Sequence, residues 1–292
     1  MIKTVLFDLD DTIFDFNMSE KIAIIKTFES FGYDVTDEMI LKYSQYNISQ
    51  WKRLELGEIS REEVKVNRFK LLFDDLGLDL SPKKTTLVYE ENLAKGHYFV
   101  KGAEEMLNCI YKDYDLYLVS NGAKKVQEGR MSTANISHCF KDIFISEVVG
   151  YEKPNVEFFN YVFSKIKDFN RDETVIIGDS LTSDILGGKN AKIKTVWFNP
   201  NGKKCEDIVP DYQISSLKEV KSLLNSIYLF ILFSSSLVLK QLALLRSFLY
   251  RSILYCECSV SLLQRCITQL SSPKYVTINT PITAILIFDK TS

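Results

Sequence analysis

Short apolar runs separated by stretches of helical length constrain this chain more than any other feature. Thr4 to Phe7, Leu116 to Val119, Ile143 to Ile145, Val175 to Ile177 and Thr195 to Phe198 each read as a buried β-strand. Antiparallel neighbours need only a tight turn between them, whereas parallel ones need a long crossover, usually a helix. The alternation therefore predicts an α/β fold built on a doubly wound parallel sheet.

Chemistry gathers at the ends of these strands. Asp8-Leu9-Asp10-Asp11-Thr12 follows the first run directly. Side chains two apart on an extended segment point the same way, so Asp8 and Asp10 are expected to project together from the strand's carboxyl end, where open α/β sheets build their sites. Of two acids in one pocket, one can attack phosphorus while the other carries a proton to the leaving oxygen. Taken alone, the segment is equally an acidic turn after a strand, since Asp is common in turns. Three further segments bear on the choice. Leu116 to Val119 ends in Ser120-Asn121-Gly122, a hydroxyl followed by a small-residue turn with backbone donors. Glu152-Lys153-Pro154 sets a lysine before a proline expected at the first position of a helix, Asn155 to Lys167. Thr174 to Ile177 ends in Gly178-Asp179, with Asp184 five residues on. Each has a plain reading as a turn, a solvated cation or a strand stop.

In their order, the four segments resemble the four motifs of the haloacid dehalogenase-like (HAD) hydrolase superfamily, from about Ile2 to Leu224. The resemblance implies a Rossmann-like core and a Mg²⁺-dependent phosphomonoester hydrolase working through an aspartyl phosphate. Carried over by position, it makes Asp8 the nucleophile and Asp10 the acid that protonates the leaving group and later activates water. Thr12 helps to fix their turn and is grouped with the phosphate-binding residues. Ser120, with the backbone N–H groups of Asn121 and Gly122, grips phosphate oxygens, and Lys153 neutralises both the phosphate and Asp8. An all-oxygen site among acids suits Mg²⁺. The family's ligand set translates to the Asp8 side chain, the Asp10 carbonyl and Asp179, with Asp184 behind them through water or as a further ligand. Dehalogenases do not keep the second Asp, so Asp10 argues against halide chemistry.

Composition sets the remaining bounds. The 292 residues suggest two domains, and a net charge of −2 offers nothing to attract nucleic acid. The first residues turn acidic too soon for a secretory signal, so a cytoplasmic location is expected. Cys109, Cys139, Cys205, Cys256, Cys258 and Cys266 form no CxxC pair and read as free thiols; Cys256-Glu257-Cys258 leaves a weak zinc or redox alternative. The oligomeric state is not written in the sequence.

Residues 16–96 read as four helices: from Ser19 to a stop at Gly32, from Asp37 to Gly57, from Ser60 to Gly77, and from Ser81-Pro82 onward. An all-helical insert directly after the nucleophile resembles the family's first class of cap, leaving residues 1–15 and 97–224 as the core. Trp51, Leu54, Gly57 and Ile59, the stretch Gly178 to Gly188 and Trp197-Phe198-Asn199-Pro200 resemble the bacterial pyrimidine 5'-nucleotidase subgroup. That implies a nucleoside 5'-monophosphate as the small-molecule substrate. A phosphoglycolate or sugar-phosphate phosphatase, a β-phosphoglucomutase-like isomerase and a non-catalytic binding or scaffold protein stand as alternatives, and packing inside the cap competes as the role of Tyr43, Tyr46 and Trp51. Residues 225–292 fall outside the pattern: all 12 glycines precede them, and they hold six cationic and only two acidic residues. The apolar run Ser226 to Leu239 is short of the roughly 20 residues of a membrane span, so this tail offers the only route to a membrane.

Overall fold

The computed structural model describes residues 1–205 and 207–227. Six parallel strands form one sheet: β1 (Thr4–Phe7), β2 (Asp115–Ser120), β3 (Asp142–Ile145), β4 (Thr174–Gly178), β5 (Lys194–Phe198) and β6 (Tyr212–Ile214), in the order β3-β2-β1-β4-β5-β6. The helices are α1 (Phe16–Ser30), α2 (Asp37–Glu55), α3 (Arg61–Leu76), α4 (Pro82–Leu93), α5 (Ala103–Ile110), α6 (Lys124–Ala134), α7 (Ser146–Val149), α8 (Val156–Lys165) and α9 (Leu186–Asn190). This is the expected α/β fold with an N-terminal helical insert, and strand order reverses on either side of β1, the switch point at which such sheets bind ligands.

Period-two alternation decides which face each strand residue covers. Val5, Phe7, Leu116, Leu118, Val175 and Ile177 join one core, while Leu6, Tyr117, Val119 and Ile176 join the other, against Phe158, Phe159 and Val162 of α8. Both faces are buried, which is why the strands read as unbroken apolar runs. Each such side chain contributes about 1.5–3 kcal/mol relative to exposure.

The register delivers the motifs to one edge. Phe7 pairs with Leu118 on one side and Ile177 on the other, so Asp8 leaves β1 level with Val119 and Gly178. Ser120 and Asp179 follow one residue later.

The helical insert has its own core, centred on Phe28, Tyr43, Phe69, Phe73 and Tyr89. Ser60 caps α3 through a reciprocal box with Glu63 and Gly77 closes it at φ 65°, while Ser81 caps α4 with Pro82 at its start; caps of this kind are worth about 1 kcal/mol each. Two expected boundaries move. Asp15, not Ser19, caps α1, and Ser19 is buried inside the helix with its hydroxyl donating to the Asp15 carbonyl. Asn155, not Pro154, opens α8, its side chain accepting from the Glu157 N–H, so the proline lies before the cap.

The insert joins the core through two adjacent crossings. Asp15 N donates to Tyr98 O at 2.7 Å and Val100 N to Ile13 O at 3.0 Å, with the rings of Phe14 and Phe99 5.3 Å apart. At the other end, residues 220–227 are helical, and Ile227 is buried with Leu224 in the first core, three residues past the boundary expected at Leu224. Expectations for the rest of the tail, including Cys256, Cys258 and Cys266, lie outside the described residues. Among those described, no helix is long and apolar enough to cross a membrane. Cys109, Cys139 and Cys205 are free thiols.

Candidate active site

Lys153 organises the centre. Its ammonium is fully buried and donates to Asp8 Oδ1 at 2.6 Å, Asp184 Oδ1 at 2.6 Å and the Val119 carbonyl at 2.9 Å. Three donors thus meet three acceptors. Burial disfavours the ammonium, but Asp184 and Asp8 outweigh it and hold the Lys153 pKa above its ordinary value. The backbone of Lys153 is fixed by the Asn121 side chain, which donates to its carbonyl and accepts from its N–H, both at 2.9 Å.

Carboxyl oxygens of Asp8, Asp179 and Asp184 all lie within 4.8 Å of one another. Burial raises the Asp8 pKa well above the carboxylate range; Lys153 opposes this, while Asp184, Asp179 and Asp10 add to it. Burial, then Asp184 and Asp11, push Asp179 up to about 8. Asp184 reaches the cluster because a wide turn, Leu181–Ile185, folds it back under Gly178. A Cβ at Gly178 would collide with the Asp184 carboxylate, so only glycine serves there. Asp184 Oδ2 also accepts from Ser180 N at 3.1 Å.

The other expected residues take distinct places. Ser120 is fully buried on the cavity wall, and its Oγ accepts from Gly122 N at 3.0 Å and from Gln127 Nε2 at 2.9 Å. With both lone pairs occupied, the hydroxyl keeps its proton to donate. The Gly122 N–H, expected to face phosphate, is engaged by Ser120. Thr12 is not among the residues lining the cavity: it is fully buried and its Oγ1 has no hydrogen-bond partner. Asp10 lines the cavity, held by Arg130 and Gln127.

These groups open into a cavity of about 420 Å³ between the strand ends and the helical insert. Asn47, Trp51 and Glu55 reach it from α2, and Arg68 and Glu90 from α3 and α4. Trp51 lines this space, whereas Tyr43 is buried between Phe69 and Tyr89 and Tyr46 packs against the same cluster. Arg61, at the start of α3, donates to the Asn121 carbonyl at 2.7 Å and to Ser146 Oγ at 2.6 Å, tying the insert to the core. Arg61, Gln127 and Arg130 were not among the residues expected from the sequence; each has a partner 60 or more residues away, beyond any local pattern.

Comparison with known proteins agrees with this geometry. Residues 5–198 match the family model of the haloacid dehalogenase-like hydrolases. YfnB of Bacillus subtilis (strain 168), named as a HAD-hydrolase, is 38% identical over 76% of this chain and 95% of its own length. Pyrimidine 5'-nucleotidase PynA of Streptococcus pneumoniae is 35% identical over 76% of this chain and 95% of its own. Pyrimidine 5'-nucleotidase YjjG of Escherichia coli is 28% identical over 75% and 96%. A crystal structure of YfnB bound to magnesium superposes with a TM-score of 0.74, covering 77% of this chain and 99% of that one. On the match across both the strand-end motifs and the helical insert, this chain belongs to the haloacid dehalogenase-like hydrolases.

Proposed function

We propose that the protein is a Mg²⁺-dependent phosphomonoester hydrolase acting on nucleoside 5'-monophosphates, with pyrimidines preferred. The observation that carries the hydrolase reading is the buried Asp8–Lys153–Asp184 arrangement with Asp179 beside it. A buried cluster of hard oxygen donors fits Mg²⁺, and a magnesium-bound relative supports the choice. Asp8, Asp179 and the Asp10 carbonyl would hold the ion. Asp184, with one oxygen on Lys153 and the other on Ser180 N, would stand behind them. When bound, the ion supplies the positive charge that lets a dianionic phosphate approach these acids.

Within that frame the residues divide the labour. Asp8 forms a bond to phosphorus as the bond to the leaving alcohol breaks. Asp10 gives that oxygen its proton, then takes one from the water that releases phosphate. Lys153 holds Asp8 in line and, with the Ser120 hydroxyl, meets the developing charge on the phosphoryl oxygens. Asp10 also supports phosphoester over halide chemistry, because a halide leaves without a proton.

The nucleotide reading rests on the cap and on the two named relatives. Asn47, Trp51 and Glu55 sit at i, i+4 and i+8 of α2, one stripe about 12 Å long facing the cavity. Glu55 lies at the reacting end, 3.3 Å from Thr182 Oγ1, while Asn47 joins Arg68 at the far end at 3.1 Å. A flat ring on Trp51 with polar groups beyond it suits a base. Pyrimidine nucleoside 5'-monophosphates are expected to lead phosphoglycolate and hexose phosphates in kcat/KM. Trp51→Ala should raise KM for them by about fivefold to a hundredfold, the usual worth of a base–aromatic stack, with little effect on a small alkyl phosphate. A panel led by sugar phosphates rejects this substrate class and favours the sugar-phosphate phosphatase.

The raised carboxyls make metal and pH interdependent. Burial raises both Asp8 and Asp179, and Asp179, pushed up to about 8, holds in the metal-free fold a proton that the unfolded chain releases near pH about 4. The contribution of Asp179 to stability is therefore full below that pH and declines as pH rises toward about 8. Mg²⁺ binding needs both ionised, so its apparent affinity should climb about tenfold per pH unit per proton displaced and level off above that value. Thermal unfolding with and without Mg²⁺ from pH 5 to 9 checks this. A Mg²⁺ effect independent of pH would mean that these acids do not bind it.

A further inference from the structure

Burying a guanidinium is expensive unless every donor finds a partner, yet Arg130 of α6 is completely buried beside the site. Its Nη1 donates to Asp10 Oδ1 and, at 3.1 Å, to Gln127 Oε1. Its Nε donates to the Gly96 carbonyl at 2.8 Å and its Nη2 to Ser19 Oγ at 3.4 Å, both on the insert near its two ends. The planar group also lies 5.0 Å over the Phe14 ring. Gln127, one turn earlier on the same helix, donates to Asp10 Oδ2 at 2.6 Å and to Ser120 Oγ at 2.9 Å. Room for this contact depends on Gly122, where a Cβ would collide with the Gln127 amide.

Both oxygens of Asp10 are thus held from one helix, by donors that cannot serve as proton carriers at neutral pH. We infer that Arg130 and Gln127 are positioning residues, a two-point clamp that fixes the Asp10 carboxyl against the leaving-group oxygen and ties it to Ser120. The inference rests on the reading of Asp10 as the proton carrier. As the Asp8 oxygen bonds to phosphorus and the P–O bond to the alcohol breaks, the Asp10 proton passes to the departing oxygen. A carboxyl free to rotate would meet that oxygen less often and lose much of the benefit.

Leaving-group dependence separates this role from mere folding. An alkoxide needs Asp10's proton to depart, whereas p-nitrophenolate does not. We therefore compare kcat/KM for 5'-UMP and p-nitrophenyl phosphate in the full-length Mg²⁺-loaded enzyme, its Asp10→Asn variant, Arg130→Lys and Gln127→Met. The last keeps side-chain length and removes only the amide, so it covers the case in which Arg130→Lys fails to fold. The clamp predicts that Gln127→Met and Arg130→Lys lose about tenfold more on 5'-UMP than on p-nitrophenyl phosphate, in the same direction as Asp10→Asn. Equal losses on both substrates, or none, in Gln127→Met while Asp10→Asn discriminates would overturn the clamp alone. Absence of discrimination in Asp10→Asn itself would overturn the proton-carrier reading and the clamp with it.

Discussion

Asp8→Asn is expected to abolish turnover, while Asp10→Asn should leave a protein that still accepts phosphate from an activated ester and then fails to release it. The asymmetry follows from position. Asp8 contacts Lys153 and lies in the carboxyl cluster that fits the metal, so its amide would lack both the nucleophilic oxygen and the charge. Loss of a nucleophile from a catalytic unit costs up to about 10⁶-fold in turnover. Asp10 is not one of that cluster and is held by Arg130 and Gln127, and loss of general acid–base help typically costs about 10²–10⁴-fold. With p-nitrophenyl phosphate, whose leaving group needs no proton, Asp10→Asn should give a burst followed by slow release, visible as a mass increase of one phosphoryl group. Wild-type activity in Asp8→Asn, with Mg²⁺ present, would dispose of the covalent route.

Much of this was legible because strands buried on both faces leave apolar runs, and parallel topology forces their chemistry to one end. Asp8, Ser120 and Asp179 could be placed from the strand ends alone, since adjacent strands in register bring their carboxyl termini together. Ser60 and Gly77 likewise marked α3, because capping chemistry is local. The misses have different causes. β6 is three residues long with exposed Gln213 at its centre, and its identity as a strand comes from pairing with β5 rather than from its own pattern. Ser19 is a good capping residue, but Asp15 lies one turn earlier and wins the α1 terminus. Arg130 reads as one more charge on a polar helix. Only the fold reveals that Asp10, 120 residues away, supplies its counter-charge.

Lys153→Met should be the most damaging single change to the fold of the metal-free protein. It preserves the apolar stem but leaves Asp8, Asp184 and the Val119 carbonyl without their shared donor. Removing one partner of a buried ion pair costs about 3–5 kcal/mol. For a domain of this size that corresponds to a fall in Tm on the order of 10 °C. The sign with pH is informative. Without the ammonium, which opposes the upward pull of burial on Asp8, that carboxyl takes up a proton more readily, so the deficit should shrink toward acid pH and be greatest in alkali. Added Mg²⁺ should recover part of the stability, because it supplies positive charge to the same carboxylates, but little of the rate. Loss of the fixed positive charge beside the phosphoryl oxygens is expected to leave kcat lower by about 10²–10³-fold. Lys153→Arg should not restore activity, since a planar fork cannot replace a compact ammonium serving three converging acceptors in a closed site. An arginine variant with near-native turnover would show that charge alone suffices there, and that the three-way geometry around Lys153 has no part in the chemistry.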